Sequence, residues 1–377
     1  PVPQIHDEFS YLLAADTFAH GRITNPIHPM WEHFETFHVL QQPSYMSKYP
    51  PAQGLFMAIG QVLGRPIYGV WLSAALMCMA ISWMLKAWVP ARWALIGGLV
   101  SVLQFGVFTY WSQSYWGGAV AALGGALVFG ALPRIFNDQR TRDALWLGLG
   151  IAILANSRPI EGILIGIPVG CLVLPWKIKW ENIKNAGFVK KIVVPLSIFL
   201  LVTIIGIGTY NKAVTGKVDI FPHTLYARNH MAAPLLIWEP LRLMPEFKHQ
   251  TIHEFEIVVS NKYYLLKRTW KGFWADEGDD IYRMMRFYFG YILAIPMLFL
   301  LIRFLRDRHW ERILRFMAAI FILAGTCAVM TCRAQTHYFA PMTSLAVLMV
   351  VLGLRYFVSI RFLKQPLMFG FICLLLA

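Results

Sequence analysis

Charge is scarce in this chain. Of its 377 residues only 14% are Asp, Glu, Lys or Arg and 57% are hydrophobic, for a mean hydropathy of +0.53. A soluble globular protein carries about a quarter charged residues, so that class does not fit. Cysteine is scarce too. Cys78, Cys171, Cys327, Cys332 and Cys373 all fall in or beside apolar runs, and no disulfide framework or paired zinc-ligand spacing appears. Nucleotide signatures are missing. Val214-Thr215-Gly216-Lys217 lacks the first glycine of a phosphate loop, and Val218 stands where a hydroxyl is needed. No dinucleotide fingerprint points to a nucleotide-activated donor. Internal repeats, low-complexity tracts and Pro-rich linkers are missing as well.

What the chain does have is apolar blocks of about twenty residues, the length that crosses a bilayer. Spans are expected at 66–87, 93–111, 118–133, 143–156, 159–175, 191–209, 286–302, 316–331 and 338–354, with a last one from about 366. The reading is an all-α polytopic membrane protein. Its parts are a first outer loop (1–52), membrane helices (53–209), a long outer loop (210–285) and further membrane helices (286–377). Residues 8–20 are expected to form an amphipathic surface helix ended by Gly21, and 52–63 a short helix after Lys48-Tyr49-Pro50-Pro51. The chain opens at Pro1 without Met and stops inside an apolar run, so a membrane helix is expected before residue 1.

The net charge of +14 does not imply nucleic acid, because the basic residues lie between the apolar blocks. Five loops carry them: Lys86/Arg92; Arg134/Arg140/Arg142; Lys177/Lys179/Lys184/Lys190/Lys191; Arg303/Arg306/Arg308/Arg312/Arg315; and Arg355/Arg361/Lys364. With the spans above, all five share one side, which the positive-inside rule assigns to the cytoplasm. The other side receives every histidine except His309, and all Asp and Glu except Asp138, Asp143, Glu181, Asp307 and Glu311. The polar chemistry therefore gathers on the outer face of a cytoplasmic (inner) membrane.

Several outer segments carry candidate chemistry. His6-Asp7-Glu8-Phe9-Ser10-Tyr11 places an acidic pair at a helix start, where carboxylates also suit the helix dipole. Asn156-Ser157-Arg158-Pro159-Ile160-Glu161-Gly162 sets two charges at a span end; they are either functional or an i, i+3 ion pair. Arg333 and His337 lie one helical turn apart, able to share a phosphate or, for Arg333, to snorkel to the interface. Lys48, Arg158, Arg333 and His337 together would make a cationic rim for a phosphate head group. The 111–118 turn, with Trp111, Tyr115 and Trp116, suits a sugar face, but an aromatic belt explains the rings more simply. The acidic run Asp276-Glu277-Gly278-Asp279-Asp280 lacks EF-hand spacing and reads as a solvated loop tip. His6, His20, His28, His33 and His38 invite zinc, yet no His-x-x-x-His pair sits on one helix face. No metal site is assigned.

Asp7-Glu8-Phe9-Ser10-Tyr11 resembles the Asp-Glu motif in the first outer loop of the GT-C superfamily of membrane glycosyltransferases, most closely of bacterial protein O-mannosyltransferase and aminoarabinose-transferase type. Ser47-Lys48-Tyr49-Pro50-Pro51 with Gly54 is similar to their Tyr/His-Pro-Pro stretch. Asn156-Ser157-Arg158-Pro159 with Glu161-Gly162, and His337-Tyr338 with Pro341, resemble further outer-face segments. The similarity covers most of residues 5–355, and loop 210–285 departs from either named type. The resemblance implies a GT-C-like helical bundle that transfers a sugar from a polyprenyl-phosphate donor to an acceptor outside the membrane, with inversion. Asp7 would be general base and Glu8 would orient the acceptor or a divalent cation. Lys48, Arg158, Arg333 and His337 would hold the donor phosphate, with Tyr11, Tyr49, Glu161 and Tyr338 lining the substrate. The partners implied are that donor and membrane lipid, with no nucleic acid; the sugar and the glycan, lipid or protein acceptor stay open. A transporter or flippase of a lipid-linked or anionic solute is the other function class these cations would suit.

Overall fold

The computed structural model describes residues 1–168, 185–234, 236–243, 246–306 and 335–359. Helix makes up 71% of the structure and strand 2%, in keeping with the all-helical reading. The chain begins with α1 (His6–Ala19), makes a hairpin of β1 (Val39–Leu40) and β2 (Met46–Ser47), and enters α2 (Pro51–Val62). Val39 pairs with Ser47 and Leu40 with Met46. Then come α3 (Pro66–Leu85), α4 (Ala91–Ser101), α5 (Ala119–Asp138), α6 (Thr141–Ala155) and α7 (Pro159–Pro168). Proline opens α2, α3 and α7 at the position where its missing N–H costs nothing. The chain continues through α8 (Val194–Thr215), α9 (Pro222–His230), α10 (Ser260–Lys267) and α11 (Trp270–Tyr288). The last described helices are α12 (Ala294–Arg306) and α13 (Thr343–Ser359).

Helix α5 is the hub. Its Ala, Gly, Leu and Val side chains make a smooth rod against which α3, α6 and α13 pack closely. Its apolar window is 83% buried, whereas that of the Ala186–Thr215 helix containing α8 is only 11% buried. That helix leaves Ile198, Leu201, Val202, Ile204 and Ile205 exposed. Four described helices, Pro66–Leu85, Ala119–Asp138, Ala186–Thr215 and Thr336–Ser359, are long and apolar enough to cross a membrane.

Four expectations change. Helix α1 packs on α2 with Ala14 and Phe18 against Gly54 and with Gln61 donating to Asp16 Oδ1 (2.8 Å), while Ser10 bonds the His38 carbonyl and Ser47 beside the hairpin; Phe9 is exposed. The span expected at 93–111 gives way to a π-helical turn at Val102–Val107. In the span expected at 286–302, residues 286–288 finish α11, and a break at Gly290 (φ +53°) precedes α12. The 111–118 turn is core rather than belt: Trp111 is fully buried against Phe105 and Phe287. The spans expected at 316–331 and from 366, and much of the basic-loop residues, lie outside the described residues.

The approach of α2 to α3 tolerates no side chain at Gly69, where a Cβ would sit 1.9 Å from the Phe56 carbonyl oxygen. Backbone cannot yield as a flexible side chain does. Gly69→Ala is expected to lower stability by at least the ~1–3 kcal/mol of ordinary overpacking, read by thermal unfolding in detergent. Gly206→Ala, with nothing within 4 Å of its new Cβ, should be close to neutral.

Candidate active site around Asp7

The two acidic neighbours at the start of α1 do different work. Glu8 is sealed from water, and its carboxylate is spent on backbone amides. Oε2 accepts from Gln4 N (2.7 Å) and Ile5 N (3.2 Å), capping the helix start. Oε1 accepts from Tyr115 N at 2.8 Å, tying α1 to the 111–118 turn. A role for Glu8 in holding an acceptor or a cation therefore meets a carboxylate with amide partners on both oxygens. Those bonds fix the start of α1.

Asp7 turns the other way. The Tyr49 hydroxyl donates to its Oδ1, while Oδ2 lies 3.8 Å from His38 Nε2 and the side chain keeps 30% of its exposure. His38 sits just before β1 with φ +65°. Its carbonyl accepts from Ser10 Oγ (2.7 Å) and Lys48 N (3.1 Å), and its N–H donates to the Tyr226 hydroxyl (3.1 Å). Burial, aided by Lys48 and His6, holds the ring well below its ordinary pKa. His38 is thus neutral at pH 7, and it meets Asp7 as a dipole rather than as an ion.

Lys48 is enclosed, its Nζ 4.4 Å from the centre of the Tyr226 ring and 5.3 Å from that of Tyr49. Burial lowers its pKa, while Glu256 and Asp7 pull it back up. Tyr226 in turn donates to Glu256 Oε1 at 2.7 Å. The Tyr11 and Tyr49 rings stack at 4.5 Å, and burial raises both phenols, with Asp7 adding to the effect. Both stay protonated, so Tyr49 remains a donor to Asp7.

On the neighbouring segment, Arg158 Nη1 lies 3.6 Å from Glu161 Oε1, the i, i+3 ion pair left open by the sequence. Its guanidinium also covers the Tyr338 ring at 4.8 Å. Asn156 fixes this turn to α2, its carbonyl accepting from Ala52 N at 2.9 Å. His337 is buried, with Nδ1 3.1 Å from the Tyr110 hydroxyl and its ring edge-on to Trp116 at 4.6 Å. Arg333 lies outside the described residues. The described part of the expected cationic rim thus divides: Arg158 lies beside the Tyr11–Tyr49 stack, while Lys48 and His337 are packed into aromatic shells.

Five segments distant in sequence therefore meet around Asp7: residues 1–52, the 111–118 turn, 156–161, 336–338 and the long loop. The loop's contribution was invisible in sequence. Tyr226 binds His38 across 188 positions, and nothing in its local pattern marks Tyr226 or Glu256 as partners of the first loop. His38 looked like one of five scattered histidines. The acidic run 276–280 is also corrected, since it lies inside α11 and not at a loop tip. Lys267 Nζ, fully buried, lies 2.7 Å from Asp276 and 3.6 Å from both Glu277 and Asp280. Burial opposes the lysine charge, but the three carboxylates overcome it and raise its pKa.

No family model matches the chain, no curated protein matches it, and no solved structure matches it.

Removing the Glu8 carboxylate strands buried amides, at about 1–3 kcal/mol for each group left unsatisfied. Glu8→Ala should lower the unfolding temperature markedly, with Glu8→Gln between it and wild type. Asp7→Ala, at a partly exposed position, should cost less than Glu8→Ala in the same assay.

Proposed function

We propose that this protein is a membrane glycosyltransferase that moves a sugar from a polyprenyl-phosphate carrier to an acceptor hydroxyl at the outer face of the cytoplasmic membrane. The observation that carries the reading is the Asp7 carboxylate. It is reachable from solvent, oriented by Tyr49 and His38, and set among residues from five converging segments that include Arg158. The resemblance of Asp7-Glu8, Tyr49-Pro50-Pro51 and Arg158-Pro159 to GT-C outer-face segments supports the same assignment.

In this reading the acceptor oxygen attacks the anomeric carbon as its proton passes to Asp7. The bond from that carbon to the phosphate oxygen breaks, and polyprenyl phosphate leaves with the electron pair. One displacement inverts the anomeric centre. Arg158 stabilises the charge growing on the phosphate, and Glu161 keeps the guanidinium placed before the donor arrives. Glu8 acts through the backbone, and the half-buried Lys48, set against the Tyr226 and Tyr49 rings, contributes field rather than contact. His337 fixes the turn that carries Tyr338.

The test is transfer by the purified full-length protein from a lipid-linked donor. Asp7→Asn keeps the shape and should reduce turnover by roughly 10²–10⁴, with donor binding little changed. Near-normal turnover in a well-folded Asp7→Asn protein would remove Asp7 from the mechanism. Arg158→Ala should weaken donor binding by ~1.5–3 kcal/mol, the range for a charged hydrogen bond. Arg158→Lys should restore only part, because the planar fork is lost. Glu161→Gln, made alongside, separates loss of the phosphate contact from a stranded carboxylate.

The outer-face placement rests on the basic loops. Single cysteines at Thr36 and Lys262, both exposed, should react with an impermeant thiol reagent added to intact cells. One at the exposed Asn137, in the last turn of α5, should not. Labelling of 137 from outside would reverse the assignment.

A further inference from the structure

Helix α11 has three distinct sectors. At 3.6 residues per turn, Trp270, Trp274, Ile281 and Met285 fall on one narrow stripe, and all four are exposed, Trp270 at 79% and Ile281 at 59%. The adjoining sector carries Lys271, Asp279, Tyr282 and Arg286, also exposed. The third faces the protein, and it is there that Asp276, Glu277 and Asp280 surround the buried Lys267.

This inverts the arrangement expected in water, where the apolar stripe would be packed and the carboxylates solvated. Burying an ionic cluster carries a desolvation penalty, and such clusters select an arrangement more than they stabilise it. Here the lysine at the end of α10 locks the rotation of α11 so that its tryptophans point away from the protein. Helix α10 also leaves Leu265 and Leu266 exposed, and Val258 stands exposed just before it. Lys262, Arg268, Lys271 and Arg286 flank these apolar residues on exposed positions.

A second observation fixes the level at which this surface sits. The Tyr288 hydroxyl, at the end of α11, donates to the Thr336 carbonyl at 3.0 Å, where the candidate span Thr336–Ser359 begins. The apolar helix α12 then starts at Ala294. The end of α11 is therefore held where two apolar helices start.

We propose that α10 and α11 form an interfacial hairpin. Its Trp270–Trp274–Ile281–Met285 stripe is immersed at the boundary of phospholipid headgroups and acyl chains, in the leaflet where α12 begins, and its basic flank meets anionic headgroups. Tryptophan and long apolar side chains beside basic residues are what such a boundary favours. The inference does not depend on glycosyl transfer. It gives the long loop a bilayer anchor from which Tyr226 and Glu256, earlier in the same loop, are held over Asp7.

The test uses the full chain in phosphatidylethanolamine/phosphatidylglycerol vesicles, with Cys78, Cys171, Cys327, Cys332 and Cys373 replaced. Spin labels on Trp274→Cys, Ile281→Cys, Met285→Cys and Asp279→Cys are read for collision with oxygen, which concentrates in lipid, and with a water-soluble nickel chelate. The three stripe labels should favour oxygen several-fold more than the Asp279→Cys label, which should favour nickel. Stripe labels that read like Asp279→Cys would put the helix in water. Labels shielded from both reagents would place the stripe against protein, whether another segment or a second copy. Either result overturns the proposal. Should the cysteine-free background fold poorly, the wild-type protein can be labelled with a lipid-soluble photoreactive diazirine. Modification of Trp270, Trp274, Ile281 and Met285 is then expected, and an unmodified stripe beside modified α8 residues would overturn the proposal.

Discussion

The placement of Asp7 depends on the carboxylate beside it. Glu8 is buried, with amide donors from two separate segments, Gln4 and Ile5 behind it and Tyr115 across from it. Those bonds start α1 and dock it on the aromatic turn, which is itself rooted in the core by Trp111. Once the helix start is fixed, the preceding residue can only point towards Tyr49 and His38. A buried anion satisfied by neutral donors is costly to assemble but rigid. In the proposed reaction that rigidity would serve Asp7 as base, since catalysis depends on holding reacting groups in place.

Charges elsewhere follow the same logic on a larger scale. Lys48 sits between aromatic faces with Glu256 and Asp7 in range, and Lys267 sits within three carboxylates. Each ties a piece of the long loop to something else: Glu256 to the first loop, Lys267 to α11. A chain with so few charged residues spends several of them inside. The loop that departed from the GT-C resemblance is therefore bound into the site through Tyr226 and Glu256, and held along α11 by the lysine cluster.

The helices could be read from the sequence because hydropathy and proline act locally. Pro51, Pro66 and Pro159 opened their helices near where they were expected, and the span expected at 118–133 is α5. Tyr49 meets Asp7 and Arg158 meets Tyr338, pairs that join segments standing beside apolar blocks. Contacts across long separations could not be read. Nothing local pairs Tyr226 with His38, and the run 276–280 looked like a loop because its carboxylates are adjacent in sequence. Only a lysine buried against one face of the helix turns them into an internal ion cluster. Trp111 misled for a related reason: an aromatic between two apolar blocks suits a membrane boundary equally well whether it faces lipid or core.

In the proposed function, the ground between Asp7 and Arg158 is where a lipid-linked phosphate meets its acceptor. The most direct measurement is a structure of the full-length protein in lipid nanodiscs with a polyprenyl-phosphate sugar bound. Phosphate density is expected in contact with the Arg158 guanidinium, and the anomeric carbon facing the open oxygen of Asp7. Phosphate density at a site remote from both residues, with Asp7 still bound to Tyr49 and facing only solvent, would contradict it.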